Sequence, residues 1–370
     1  MAEVIVRFHG VIGQNRVQSL IGRSLEQNRL PHALLFHGPA GVGKDVLAVG
    51  LAMHALCERR TPGGCGVCAA CGKVRRLEHP AFRLILPLPP RPKSMPEKKY
   101  QEIVREKISA RMADPYADLS SGGEASGMPV IGIEEIRNLK HETSLKLSTE
   151  SMRTVLISHA ERMTVAAANS LLKLLEEPPA NTVIVLTSSA QGQLLPTIAS
   201  RCQQVRFDLL TEAEIEAAIG DRGIEPEKAS RVSRMAGGSL GRALSMLDPE
   251  YEAIRSAAWA WLDLASGDWP GQLDWIREST DRWSKPELIE ILRILEAIFR
   301  DRIRLETDGP GAVMQDDKMN ALAKWRSRSP AWNADLAIGA VRRAIDLIEK
   351  NAYLPLVLFE LKQEFQGATG

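Results

Sequence analysis

The first two-thirds of the chain alternate between short apolar runs and longer segments with apolar residues at helical spacing. Residues 33–36 (Ala-Leu-Leu-Phe) form a brief apolar run that enters a glycine-rich stretch, and an alanine- and leucine-rich segment, 46–56, follows it. Run length and flanking glycines predict a strand for the first and a helix for the second. The alternation then repeats. Residues 82–86 predict a strand, 133–145 a helix, 154–157 a strand, 166–177 a helix halted by Pro178 and Pro179, and 182–187 and 204–207 two more strands. An earlier helical run covers 16–27. Strands and helices alternating in this way predict a mainly parallel, doubly wound sheet.

From Thr211 onward every pattern is helical. Thr211-x-x-Glu214 is a capping box, Pro226 suits a first turn, Gly237-Gly238 is a stop, and Ser239 can cap the helix that carries Arg242. Ser284-x-x-Glu287 opens a helix with Leu288, Ile291, Leu292, Leu295, Ile298 and Phe299 on one face, which we read as a core face. All seven tryptophans lie in the last third, which argues for a separately built C-terminal domain. The expected domains are an α/β domain over 1–208, a small helical lid over 209–248 and an all-α domain over 249–370.

The glycine-rich stretch carries the first chemistry. Gly38, Gly41, Gly43 and Lys44 fall at the G-x-x-x-x-G-K spacing of a P-loop. Its backbone N–H groups and lysine cradle phosphate at the N-terminus of the next helix. The following position should be a serine or threonine that holds Mg²⁺, and here it is Asp45. The strand at 154–157 should end in an acidic pair that holds the metal and polarises water. It ends instead in Ser158-His159, with Glu161 displaced onto the next turn. Both metal-holding positions are altered, so the expectation is no hydrolysis and weak or absent binding of ATP and Mg²⁺.

Cys57, Cys65, Cys68 and Cys71 fall within fifteen positions, with glycines at 63, 64, 66 and 72 between and beside them. Four thiolates complete a tetrahedral Zn²⁺ and leave no open position, which predicts a structural metal site. A disulfide pair is disfavoured in the cytosol, and the run lacks the fourth cysteine and proline that an iron–sulfur ferredoxin spacing needs after Cys71. Residues 87–129 look inserted. They begin Pro-Leu-Pro-Pro-Arg-Pro, continue with mixed charge and end near Ser120-Ser-Gly-Gly-Glu-Ala-Ser-Gly127, the composition of a solvated, partly helical surface excursion.

With a net charge of +1 over 370 residues, no global field favours nucleic acid or an anionic membrane. No apolar run reaches the ~20 residues of a membrane span, and the first residues do not resemble a signal peptide, so a cytoplasmic protein is expected.

Taken in order, Gly10-Val-Ile-Gly-Gln14, the P-loop, the cysteine module just after its helix, Asn169-Ser-Leu-Leu-Lys-Leu-Leu-Glu-Glu-Pro-Pro179 and Leu195-Pro-Thr-Ile-Ala-Ser-Arg-Cys202 resemble the clamp-loader branch of the AAA+ ATPases. The resemblance covers roughly residues 8–248 in ordered motifs and the C-terminal helices only in general character. It implies an AAA+ domain with an inserted zinc module, a lid, and a C-terminal collar that oligomerises. It further implies a hetero-pentamer within a DNA polymerase III holoenzyme: gamma/tau ATPase subunits, a delta subunit that opens the sliding clamp, and a stator. The pentamer loads the clamp on primed DNA. The altered metal positions match the stator, which is not catalytic alone. In this family the Ser-Arg-Cys arginine, Arg201 here, reaches in trans to a neighbour's γ-phosphate. Arg242 resembles a sensor arginine that contacts nucleotide in cis. Without the motif, Arg201 would be read as the partner of a carboxylate at the end of a strand.

Two rival readings follow. An ATP-hydrolysing gamma/tau-type subunit shares the zinc module and Ser-Arg-Cys, and Asp45, Ser158 and His159 oppose it. A zinc-ribbon nucleic-acid-binding protein with a vestigial P-loop predicts salt-sensitive DNA binding, which a charge of +1 opposes.

Overall fold

The computed structural model describes residues 6–89, 91, 95–113, 115–116, 129–144, 152–264, 269–330, 332–350 and 352–369. Its contacts divide the chain into two compact units. One takes in Met1–Leu119, Gly123–Ile224 and Ala236–Leu244, and the other Glu225–Met235 and Ser245–Gly370.

The first unit runs α1 (Asn15–Glu26), β1 (Ala33–His37), α2 (Lys44–Leu56), α3 (Ala69–Arg75), β2 (Phe82–Ile85), α4 (Glu97–Ala113), α5 (Ile133–Ser144), β3 (Arg153–Ile157), α6 (Val165–Glu176), β4 (Thr182–Ser188), α7 (Pro196–Ala199), β5 (Gln203–Arg206) and α8 (Glu212–Gly220). The five strands form one sheet in the order β2-β3-β4-β1-β5, and every pairing is parallel. The apolar runs are continuous because both faces are covered. Leu34 and Phe36 of β1 pack with α1, α2 and α3, while Ala33 and Leu35 pack with α5, α6 and α7. This is the period-two division of one strand between two cores. The doubly wound parallel arrangement is therefore present, with helices on both sides of the sheet.

β4 lies between β1 and β3, with Leu35 opposite Leu186 and Ile157 opposite that same residue on the other side. The carboxyl ends of these three strands therefore meet at the N-terminus of α2, where ligands of open α/β sheets bind.

The capping box of α8 is complete. The Glu214 N–H donates to Thr211 Oγ1 (3.2 Å), and the Thr211 N–H donates to Glu214 Oε2 (2.9 Å). Thr211→Ala is expected to destabilise the first unit by about 1 kcal/mol in urea denaturation.

The second unit is helical: α9 (Pro226–Met235), then, after the short α10 (Leu240–Ser245) at the boundary, α11 (Pro249–Leu264), α12 (Trp269–Arg282), α13 (Lys285–Thr307), α14 (Met319–Arg328), α15 (Ala334–Glu349) and α16 (Leu354–Thr369). Leu288, Ile291, Leu292, Leu295, Ile298 and Phe299 of α13 are all buried, as the core reading of that face requires. The tryptophans are structural here. Arg302 lies against the rings of Trp325 and Trp332, 4.6 and 4.7 Å from their centroids, and Phe299 packs against both indoles. Among the described residues no helix is long and apolar enough to cross a membrane.

Candidate functional site

β1 ends at His37 and the chain turns through Gly38–Gly43 into α2. Gly41 has φ +71° and Gly43 has φ +98°, left-handed values that favour glycine. Space adds a second demand. A Cβ on Gly41 would lie 2.2 Å from Ser239 Oγ, and one on Gly43 would lie 3.0 Å from the Tyr116 ring. The loop is thus closely packed against Ser239 and Tyr116 at these two glycines.

Lys44 turns its ammonium group back onto the loop, donating to Gly38 O (2.8 Å), Pro39 O (2.6 Å) and Ser189 Oγ (3.0 Å). Asp45, the first-turn acid of α2, is buried and points at the tips of β3 and β4. The Ser158 hydroxyl donates to Oδ2, and the Thr187 hydroxyl donates to Oδ1 at 2.6 Å. The Arg111 guanidinium also donates to Oδ2, forming an ion pair in which each side chain is 10% exposed or less. Burial by itself would raise the Asp45 carboxyl. Arg111, His159 and the two hydroxyls outweigh it and hold the group well below the usual carboxylate range. Asp45 is therefore a paired anion.

This geometry gives the sequence anomaly a physical reading. In an active P-loop ATPase the hydroxyl stands on the helix and the acid at the tip of the strand. Here the acid is on α2 and the hydroxyl, Ser158, ends β3. The carboxylate–hydroxyl pair persists with its two halves exchanged, and a guanidinium supplies the positive charge. Glu161 does not restore the missing acid. It sits in the turn Ala160–Arg162, where its Oε1 accepts the Ser189 N–H (3.3 Å) and lies 3.5 Å from His159 Nδ1.

Arg111 and Tyr116 are the residues that sequence reasoning missed, since 87–129 was expected to be a solvated excursion. That expectation fails at its far end. The segment leaves and returns through a bridge between Leu88 and Val130 (N–H to O distances 3.1 and 2.9 Å) and contains α4. Arg111 on the last turn of α4 and Tyr116 beyond it are buried. The Tyr116 hydroxyl accepts the Ile12 N–H (2.8 Å) and donates to Gly10 O (3.2 Å). The Ser120–Gly127 stretch lies outside the described residues.

Arg242 belongs to the same neighbourhood. Its backbone N–H donates to Ser239 Oγ (3.2 Å), the cap expected for α10. Ser239 Oγ in turn donates to Ala40 O (2.9 Å), and the Gly241 N–H donates to Gly41 O (3.0 Å). Arg201 stands elsewhere, on the turn between α7 and β5. Its Nε and Nη2 meet Glu176 Oε1 at 2.7 and 2.6 Å, and Nη1 donates to Thr197 O (3.1 Å). Ser200 donates to Thr197 O at 3.2 Å. Cys202 is buried, and burial pushes its thiol up to about 11, which makes it inert.

A sequence profile of the family described as DNA polymerase III, delta subunit matches residues 13–211, more than half of the chain. The chain belongs to that family. It is 33% identical over 226 residues to the DNA polymerase III subunit delta' of Bacillus subtilis, a span covering 60% of this chain and 56% of that one. It is also 33% identical over 174 residues to the delta' subunit of Pseudomonas aeruginosa, covering 47% and 42%. The tau subunit of Bacillus subtilis is 25% identical over 249 residues, covering 65% of this chain and 37% of its own. The chain thus spans about half the length of the delta' relatives it matches.

The four cysteines come together at the junction of α2 and α3. Cys57 ends α2, Cys68 caps α3 and Cys71 lies within its first turn. Their sulfur atoms all lie within 4.8 Å of one another, and the Cys65 and Cys71 sulfurs are 4.0 Å apart. Sulfurs bound at ~2.3 Å around a tetrahedral ion would be ~3.8 Å apart, so the donor set fits one metal ion after a small contraction. Burial opposes ionisation of Cys57, yet the N–H groups of Cys65 and Thr61 draw its thiol down to about 6.

Proposed function

We propose that this chain is the non-hydrolysing, delta-prime-type stator of a DNA polymerase III clamp loader, and that it lends Arg201 to the ATP site of a neighbouring gamma/tau-type subunit. The observation that carries the reading is the exchanged pair Asp45–Ser158. No acid stands at the tip of β3 and no hydroxyl follows Lys44, so the two positions that would hold Mg²⁺ cannot do so in the usual way. Family membership and the delta' and tau relatives support the assembly; the Ser-Arg-Cys position of Arg201 supports its role. The collar over 249–370 would hold the chain in a pentamer with gamma/tau and delta subunits, which place the clamp on primed DNA. Arg242 would stand beside a nucleotide site that goes unused, while Ser239 and Gly241 hold its turn onto the P-loop. Cys57, Cys65, Cys68 and Cys71 would bind one structural Zn²⁺.

ATP turnover tests the reading. The purified chain alone is expected to hydrolyse no ATP, and adding it to gamma/tau-type and delta subunits with clamp and primed DNA is expected to raise turnover at least ten-fold. Brisk hydrolysis by the chain alone, lost in Lys44→Ala, would instead favour the gamma/tau-type reading.

A further inference from the structure

Arg111 and Tyr116 supply, at the P-loop, charge and cover that a bound Mg²⁺–nucleotide would otherwise bring, and both come from one segment. We propose that the insertion between β2 and α5 is a built-in occupant of the P-loop: Arg111 stands on Asp45 in place of a metal ion, Tyr116 fills the space over Gly43, and nucleoside triphosphate can enter only by displacing them. The proposal stands on the geometry of the first unit alone and does not rest on the assembly reading.

Three observations meet here. The first is chemical. The Asp45 carboxylate faces the Ser158 and Thr187 hydroxyls at the strand tips, the place where a P-loop enzyme keeps its divalent cation, and the cation found there is the Arg111 guanidinium. A buried carboxylate demands a paired charge, and a guanidinium meets that demand without a bound metal. The second is steric. The Tyr116 ring lies against Gly43, its carbonyl oxygen would be 2.4 Å from a Cβ on Gly241, and its hydroxyl is fixed between the Ile12 N–H and Gly10 O. The aromatic ring thus takes space beside the last turn of the loop, where the helix N-terminus would meet an anion. The third is topological. The Leu88–Val130 bridge closes the base of the insertion, and Tyr100 Oη donates to Pro89 O (3.0 Å), tying α4 back to that base. The segment that reaches Asp45 is therefore anchored at both ends of its excursion and is not a chance surface contact.

A nucleotide must break the Arg111–Asp45 pair and lift Tyr116 before its phosphates reach the loop. Lys44 compounds the obstacle, because its ammonium already donates to the carbonyls of Gly38 and Pro39. Opening the insertion should uncover a site with a carboxylate next to the lysine, and its affinity should depend on Mg²⁺ to offset the two negative groups.

The test is equilibrium binding of a fluorescent ATP analogue to the full-length chain, with and without Mg²⁺. The wild-type chain is expected to bind at least ten-fold more weakly than Arg111→Ala or Tyr116→Ala, and binding by Arg111→Ala is expected to require Mg²⁺. Arg111→Lys, which keeps a cation on Asp45, should stay near wild type. Tyr116→Ala leaves the ion pair intact, so it carries the test even where loss of Arg111 harms folding. Wild-type affinity equal to that of the folded variants would overturn the proposal, as would variants that bind no better in either condition. Binding gained without turnover leaves the stator reading untouched. Turnover by the wild-type chain alone removes that reading, and tight wild-type binding without turnover removes only this proposal.

Discussion

Arg201→Ala is expected to slow ATP hydrolysis at the one neighbouring site it serves by about 10³-fold, while the subunits still co-elute as one assembly. The size follows from what a trans arginine does for γ-phosphate charge in GTPases, where it is worth ~10³–10⁵ in rate. The geometry of this chain makes the transfer feasible. Arg201 is held by Glu176 at a half-exposed position, with both contacts made to a single carboxylate oxygen. A pair of this kind contributes no more than about 1 kcal/mol. A γ-phosphate with its larger charge can therefore draw the guanidinium away at little cost. Two further variants separate finger from scaffold. Arg201→Lys keeps the charge but loses the planar fork, so most of the loss should remain. Glu176→Ala removes only the local partner and should change turnover by a few-fold at most. Hydrolysis at that site that survives Arg201→Ala would remove the trans role and leave the local ion pair as the full account of this residue.

The sequence was most legible where the cause is local. The apolar run before Gly38, the prolines after Glu177 and the capping boxes at Thr211 and Ser284 each act within a few residues, and the strand and helix bounds lie within a residue of where these signals put them, while both capped helices start after their caps. β5 is placed one residue earlier than the pattern suggested, at Gln203–Arg206, because pairing with Leu34–His37 of β1 sets its ends. The four cysteines were legible for the same local reason, since α3 brings Cys68 and Cys71 together by itself.

The partner of Asp45 was not legible. Arg111 lies 66 positions away, in a segment whose Glu97, Glu102 and Glu106 alternate with basic residues as a solvated face does. No spacing rule reaches that far. One signal did exist: an aspartate in the apolar N-terminal turn of α2 cannot be buried alone, so some cation had to come to it. Burial thus demands a partner for Asp45, and the fold decides which cation it is.

Removal of the metal from the cysteine module should produce the second large effect. The module is the seam between two helices of the main core. Cys71 is fully buried beside Val74, Ala70, Met53 and Leu56, so four like-charged thiolates without a cation would have to be neutralised or pulled apart inside that core. A bound Zn²⁺ deprotonates all four and satisfies them at once, including Cys71, whose thiol burial pushes up to about 12. Freshly purified protein is expected to contain about one zinc per chain. Structural zinc contributes ~10–16 kcal/mol in small zinc-finger peptides, where it organises the whole fold. Here a folded sheet supports the module, so a third of that, about 4 kcal/mol, is a fitting expectation, equivalent to a fall of ~8–16 °C in melting temperature for a unit of this size. Cys71→Ser should lose the zinc and show this fall, whereas Cys202→Ser should keep the metal. Because the tryptophans all lie beyond residue 250, circular dichroism rather than indole fluorescence should report the transition. A protein purified without zinc that melts at the same temperature after zinc is supplied would show that the four thiols are merely packed, and the seam would then have to be explained by its apolar contacts alone.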